Sequence, residues 1–193
     1  MTKLLWFVPC ANTVSRLKRN GNNLAQNYGE NISRRTDGPP AQIRDTMNDG
    51  ATIVLHADDD PNDLLLVKHA CRAAGLPCSI ESVSDGEVAI AYLSGQTSYA
   101  DRARYPLPAL ILLDLKMPRR TGFEVLEWIR SQPNLRRVPV IILTSSRHEG
   151  DINWTYDHGA NSYLVKPVGF EALVEMLKTI HHYWLNMNER PSV

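Results

Sequence analysis

The sequence predicts an α/β fold, a parallel sheet covered by helices on both sides. Three observations predict it. Strand-like and helix-like segments alternate five times after residue 51. The strand segments are unbroken apolar runs, which is how strands buried on both faces read, and such sheets are parallel with a helix layer on each side. Apolar residues make up 43% of the chain and charged residues 22%, ordinary globular usage that excludes a collagen, a disulfide scaffold and a wholly disordered chain.

Residues 52–57 are apolar and β-branched and end in acids, a first strand. Residues 61–74 read as a helix opened by Pro61 and stopped by Gly75. Residues 78–83 are the second strand. Residues 85–93 are helical, with Val88, Ala89, Ala91 and Leu93 supplying apolar contacts. Residues 94–108, with Gly95, Pro106 and Pro108, form a polar loop. The third strand is 109–113, again ending in an acid. Helix 121–131 carries Phe123, Val125, Leu126 and Ile129. The fourth strand is 138–143, followed by a short helix at 150–158 closed by Gly159. The fifth strand is 162–165. The last helix is 170–183, with Leu173, Met176, Leu177 and Ile180 at helical spacing. The crossovers between parallel strands are right-handed.

The first 50 residues differ from this body. They are rich in Asn, Arg, Gly and Pro, with 7 basic and 4 acidic residues, and show no sustained period. They read as a flexible leader. Residues 51–185 are the folded domain and 186–193 a short tail. The whole chain has 21 basic and 21 acidic residues, so no global field draws it to nucleic acid or an anionic membrane. No apolar run approaches the roughly 20 residues that span a bilayer. The apolar stretch at residues 4–8 is too short for a secretion signal and ends at Pro9. Cys10, Cys71 and Cys78 suit neither a disulfide framework nor a zinc site, which points to a reducing cytoplasm.

Function in open parallel sheets collects at the carboxyl ends of the strands. Here the first strand ends in Asp58, Asp59 and Asp60, the third in Asp114, the fourth in Thr144, Ser145 and Ser146, and the fifth in Lys166 and Pro167. The second ends without an ionisable group. Clustered carboxylates repel, and a hard divalent cation resolves that conflict. Mg²⁺ takes a couple of carboxylates together with water and phosphate oxygens. A hydroxyl and an ammonium on the same rim would hold the remaining oxygens of a phosphoryl group. The rim is thus suited to carry a phosphoryl group on a carboxylate beside Mg²⁺.

Four ordered motifs carry a specific resemblance: residues 55–61 (LHADDDP), 113–118 (LDLKMP) with Gly122, 143–146 (LTSS) and 163–167 (YLVKP). Asp114 and Thr144 are 30 positions apart, and Thr144 and Lys166 are 22 apart. Residues 51–183 resemble the receiver domain of two-component response regulators, the CheY-like family. The stand-alone receivers similar to cyanobacterial phytochrome regulators share its long loop before the third strand and an ending like Tyr183-Trp184-Leu185. The resemblance implies a (βα)5 flavodoxin-like three-layer sandwich with strand order 2-1-3-4-5. It implies Asp114 as phosphoacceptor, with Thr144 and Lys166 gripping the phosphoryl oxygens. It places Mg²⁺ on Asp59 directly, on Asp58 mainly through water, on Asp114 and on the backbone carbonyl of Lys116. Tyr163 matches the switch aromatic that turns inward when Thr144 moves toward the phosphoryl group. The family's Lys-Pro bond, here Lys166–Pro167, is often cis.

The implied chemistry is transfer from a kinase phosphohistidine to a carboxylate nucleophile. It makes the chain a signalling receiver with slow self-dephosphorylation rather than an enzyme. A haloacid-dehalogenase-type phosphatase would need a second acid two positions after the nucleophile, where Lys116 stands. A flavodoxin would need a hydroxyl-rich phosphate loop after the first strand, where acids stand. A helix-turn-helix has no room after the last helix, so DNA is not an expected partner. The expected partners are a sensor histidine kinase, of phytochrome type by resemblance, and a second copy of the chain through residues 184–193. The alternative is a receiver-like interaction or dimerisation module that is never phosphorylated. Asp60 and Asp63 read as turn or helix-start residues. The six histidines read as structural or exposed, although His56 stands in a strand where a hydrophobe is expected.

Overall fold

A computed structural model describes residues 52–189 and 191. The expected leader, residues 1–50, lies outside the described residues. The elements run β1 (Thr52–Ala57), α1 (Pro61–Ala73), β2 (Cys78–Val83), α2 (Gly86–Ser94), β3 (Leu110–Leu113), α3 (Gly122–Ser131), β4 (Val140–Thr144), α4 (Glu149–Asp157), β5 (Ser162–Val165) and α5 (Phe170–His181). The five strands are parallel in the order β2-β1-β3-β4-β5. This is the flavodoxin-like arrangement that the family resemblance implies.

Alternate residues of each strand feed two cores. Leu55, Ala57, Ile111, Leu113, Val140 and Ile142 pack on one face with α2 and α3. Val54, Leu110, Leu112, Ile141 and Leu143 pack on the other with α1 and α5. That two-sided burial is why the central strands read as continuous apolar runs. The edge strands β2 and β5 are only half-buried along most of their length, which fits their more polar sequences.

The ends of the elements follow local chemistry. Asp60 caps α1, accepting from Asn62 N at 2.8 Å, and Pro61 opens the helix without wasting an N–H. Thr121 and Glu124 form a reciprocal capping box at the start of α3. Most boundaries fall within one residue of the sequence reading, and two differ by more. Val138 belongs to a turn, its N–H donating to Leu135 O, so β4 starts at Val140. Beyond His181 the chain continues as a π-helical turn, His182–Met187, closed by Asn188 N on Tyr183 O at 2.8 Å. The helical part therefore runs past residue 185. This turn lays Trp184 and Leu185 against the α1–α5 core.

The loop before β3 is more ordered than its polar sequence suggests. Tyr92, Tyr99 and Tyr105 pack on one another with ring centroids 5.0 to 6.1 Å apart. The Tyr92 hydroxyl donates to Pro106 O at 2.9 Å, and burial pushes its pKa up to about 12. The Arg102 guanidinium donates to the carbonyls of Tyr92, Leu93 and Tyr105. A 3₁₀ turn at Thr97–Tyr99 completes the loop.

Candidate functional site

The parallel register brings four strand ends to one rim. Asp114 N donates to Ala57 O at 2.9 Å, and Lys166 N donates to Thr144 O at 2.8 Å. Asp58, Asp114 and Lys166 thus sit just past β1, β3 and β5, side by side with Thr144 at the last position of β4.

Asp114 is almost fully buried, 4% exposed. Its Oδ2 accepts from Lys116 N at 2.8 Å, and its Oδ1 faces Lys166 Nζ at 3.6 Å. Asp58 is fully buried. Its Oδ1 accepts from Asp60 N at 3.1 Å, while its Oδ2 lies 2.7 Å from Lys166 Nζ and 3.4 Å from His56 Nε2. Burial works to raise the Asp58 carboxyl, but His56 and Lys166 outweigh it and hold it below the ordinary carboxylate range. Burial likewise pulls the Lys166 ammonium down, and Asp58, Asp63 and Asp114 outweigh that and raise it above the usual lysine range.

Thr144 is fully buried, its Oγ1 accepting from Ser146 N at 3.4 Å. Ser146 Oγ donates to Asp151 Oδ2 at 2.6 Å, which ties the β4–α4 loop to the first turn of α4. Tyr163 is already half-buried, and its hydroxyl donates to Ser146 O at 3.2 Å. Burial raises its pKa. Asp59 is exposed at the rim, beside the buried Asp58.

The sequence reading missed three features. Asp85, just past β2, is fully buried, so the second strand end does carry an acid. It caps α2 by accepting from Val88 N at 2.9 Å and also accepts from the Arg119 guanidinium. The Asp-Gly pair ahead of an apolar helix signals the cap, but nothing local signals an arginine 34 positions away. Arg119 stands at φ 63, the only non-glycine at positive φ among the described residues. The second feature is Asp63, whose Oδ2 receives Lys166 Nζ at 2.6 Å. The third is His56, fully buried against Asp58 with both ring nitrogens lacking a hydrogen-bond partner. One expectation is corrected. No peptide bond is cis among the described residues, so Lys166–Pro167 is trans, and the lysine side chain spans the distance to Asp58 without a cis bond.

The donor set fits a hard divalent cation. The carboxylates of Asp58, Asp59 and Asp114 and the carbonyl of Lys116 are all oxygen donors. The carboxylates outnumber the one ammonium among them, so the pocket favours added positive charge. Among the described residues no three Asp, Glu, His or Cys side chains close into a cage, and Asp58 Oδ2 lies 2.7 Å from Lys166 Nζ. Mg²⁺ does not need one, since it keeps several waters and takes only one or two carboxylates.

The loop between β3 and α3 is clamped by two glycines. A Cβ on Gly122 would lie 2.0 Å from Asp114 O, and a Cβ on Gly86 would lie 2.2 Å from Arg120 O. Only a bare Cα lets α2 and α3 approach the segment that carries Asp114 and Lys116 so closely.

Comparisons with known proteins agree with this fold. A family model described as the response regulator receiver domain matches residues 54–178. The chain is 34% identical over 140 residues to response regulator Rcp1 of Synechocystis sp., covering 72% of this chain and 93% of that protein. It is 35% identical over 139 residues to the probable methanogenesis regulatory protein FilR2 of Methanothrix harundinacea, covering 72% and 87%. The crystal structure of the phosphorylated cyanobacterial phytochrome response regulator RcpA matches at 35% identity and TM-score 0.68, covering 74% of this chain and 99% of that one. The Mn(2+)-bound form of Rcp1 matches at 33% identity and TM-score 0.66, covering 73% and 99%.

Proposed function

The chain belongs to the response regulator receiver family, and from that premise we propose that it accepts a phosphoryl group on Asp114 and thereby switches a protein-binding surface. The observation that carries this reading is the placement of Asp114. It is a buried carboxylate at the centre of the rim, with its Oδ2 fixed by Lys116 N and its Oδ1 directed at an ammonium.

In this reading Asp114 Oδ1 is the nucleophile. Its bond to phosphorus forms as the phosphorus–nitrogen bond of a donor phosphohistidine breaks, and the imidazole leaves with the electron pair. Lys166 and Thr144 hold the phosphoryl oxygens. Asp58, Asp59, Asp114 and the Lys116 carbonyl would hold Mg²⁺, which when bound supplies charge neutralisation for the transferring group. Tyr163 and the β4–α4 loop are the readout. The Tyr163–Ser146 bond links the aromatic to the loop that begins at Thr144, so a shift of Thr144 changes the α4–β5 surface.

The donor in this reading is a sensor histidine kinase. Resemblance to the phytochrome response regulator RcpA supports a phytochrome-type kinase, and a similar frame occurs in FilR2, a probable methanogenesis regulatory protein. A second copy of the chain is a further partner, supported by the exposed Tyr183 and Met187 on the π-helical turn. Sedimentation velocity that shows only monomer, with and without phosphodonor, rejects that partner. Among the described residues no helix is long and apolar enough to cross a membrane.

The direct test is incubation with acetyl phosphate and Mg²⁺, followed by intact mass. The parent gains one phosphoryl group and Asp114→Asn gains none. No gain on the parent would leave a receiver-like interaction module.

A further inference from the structure

Asp63 is the third residue of α1, where an acid is unremarkable because it complements the helix macrodipole. Its carboxylate is nevertheless not used by the helix. Asp60 already caps α1. Asp63 Oδ2 instead receives Lys166 Nζ at 2.6 Å, across 103 positions of sequence. The ammonium therefore has two short contacts, with Asp63 and with Asp58 at 2.7 Å, and a longer one to Asp114 at 3.6 Å. It is held on the α1 side of the rim, away from the acceptor.

That position conflicts with two demands of the proposed function. Asp58 must become available to a divalent cation, yet Lys166 holds its Oδ2. Lys166 must also grip a phosphoryl group on Asp114, yet Asp114 is its most distant acid. An ammonium forced off Asp58 by a cation needs another anion close by, or it is left partly buried without a partner. Asp63 is placed to be that anion. Its side chain is 31% exposed against 1% for Asp58, so its charge stays solvated whichever partner it has.

We propose that Asp63 is a positioning residue that holds Lys166 aside, so that a divalent cation can take Asp58 while the ammonium stays within reach of Asp114. The proposal rests on the assignment of Asp58 and Asp114 made above. It separates Asp63 from an ordinary helix-start acid, whose effect would not depend on Lys166.

The test is Mg²⁺ affinity by titration calorimetry on the full chain in four forms: parent, Asp63→Asn, Lys166→Met and the double variant. With Asp63 neutral, Lys166 has only Asp58 and Asp114 to bind, and it competes with the cation for both. Asp63→Asn is expected to raise the Mg²⁺ Kd about five-fold, the scale on which coupled charges act. In the Lys166→Met background the same change moves the Kd by less than about two-fold, since only the through-space field of a half-exposed acid remains. Asp63→Glu keeps the charge and restores affinity to near the parent value.

Equal fold-changes in both backgrounds overturn the proposal, because they reduce Asp63 to a general acidic field. An unchanged Kd in Asp63→Asn, or loss of affinity in Asp63→Glu equal to that in Asp63→Asn, overturns it as well. The acetyl phosphate experiment is read separately. If the parent is phosphorylated and the coupling is absent, the Asp63 assignment alone fails. If the coupling is present and no phosphoryl group is gained, the phosphoacceptor assignment fails and Asp63 stands as a positioner of Lys166 for metal.

Discussion

Replacing Gly122 by alanine tests how the site is built. Gly122 is the first residue of α3. A Cβ there would lie 2.0 Å from Asp114 O, 2.8 Å from Leu115 Cα and 2.9 Å from Asp114 C. All three are backbone atoms of the strand end that carries the phosphoacceptor, and backbone cannot rotate away. Favourable carbon–oxygen contacts begin at roughly 3.3 Å, so the overlap exceeds about 1 Å. Helix propensity alone pushes the other way, since alanine is better than glycine in a helix by roughly 0.5–1 kcal/mol. Overpacking costs about 1–3 kcal/mol and sometimes more. With backbone as the obstacle, the expected net loss is about 3 kcal/mol. For a domain of this size that is a fall in Tm on the order of 10 °C. Urea unfolding followed by tryptophan fluorescence measures it. Gly75→Ala is the control, because Gly75 has φ 63 and nothing within 4 Å of its would-be Cβ. It should lose only about 1 kcal/mol, from backbone conformation alone. If Gly122→Ala is as stable as the parent, α3 does not press on the Asp114 carbonyl as described.

Other outcomes follow from the same geometry. Arg102→Ala leaves the carbonyls of Tyr92, Leu93 and Tyr105 without their donor, and should cost about 2–3 kcal/mol while raising protease cleavage and amide exchange within residues 94–108. Unchanged exchange there would show that the tyrosine trio holds the loop unaided. The depressed Asp58 pKa means its stabilising contribution is complete above the unfolded value of about 4 and is lost as pH falls through the folded value. Asp58→Asn should therefore flatten the dependence of the urea midpoint on pH below about 4, and an unaltered acid limb would refute the pairing with Lys166 and His56. The raised Lys166 pKa works in the opposite direction, with its contribution complete below about 10.4 and lost as pH rises through the folded value. Lys166→Met should remove that alkaline loss.

Most of the site was legible because its signal is local. A strand buried on both faces is a run of apolar residues, and the first polar residue after it marks the rim. Asp58, Asp114, Thr144 and Lys166 can be placed together from the sequence alone, because parallel strands must present the same ends on the same side. The corrections have another origin. The start of β4 and the end of α5 moved by a few residues because the Val138–Leu135 turn and the π-helical turn act through hydrogen bonds that hydrophobic period does not encode. The long loop looked polar because its order comes from three tyrosine rings and one guanidinium, each ordinary when read alone.

Asp63 and Asp85 show where a one-dimensional reading stops. Each has a sufficient local explanation, as a first-turn acid and as a helix cap, and for Asp85 that explanation is also correct. What the sequence withholds is the second partner. Arg119 reaches Asp85 from 34 positions away, and Lys166 reaches Asp63 from 103. Both pairings join the flanks of the rim to residues at its centre: Arg119 lies in the loop that follows Asp114, and Lys166 is the ammonium of the site. A pocket of buried acids cannot hold its shape on strand register alone, because its members repel. The two flanking pairs supply the opposing attractions, one beside β2 and one on α1. The acidic rim is set by register and kept from spreading by two cations of the site, Lys166 and Arg119, each tied to an acid on its flank. The position of Lys166 before phosphorylation then follows from the balance between Asp58 and Asp63 rather than from Asp114.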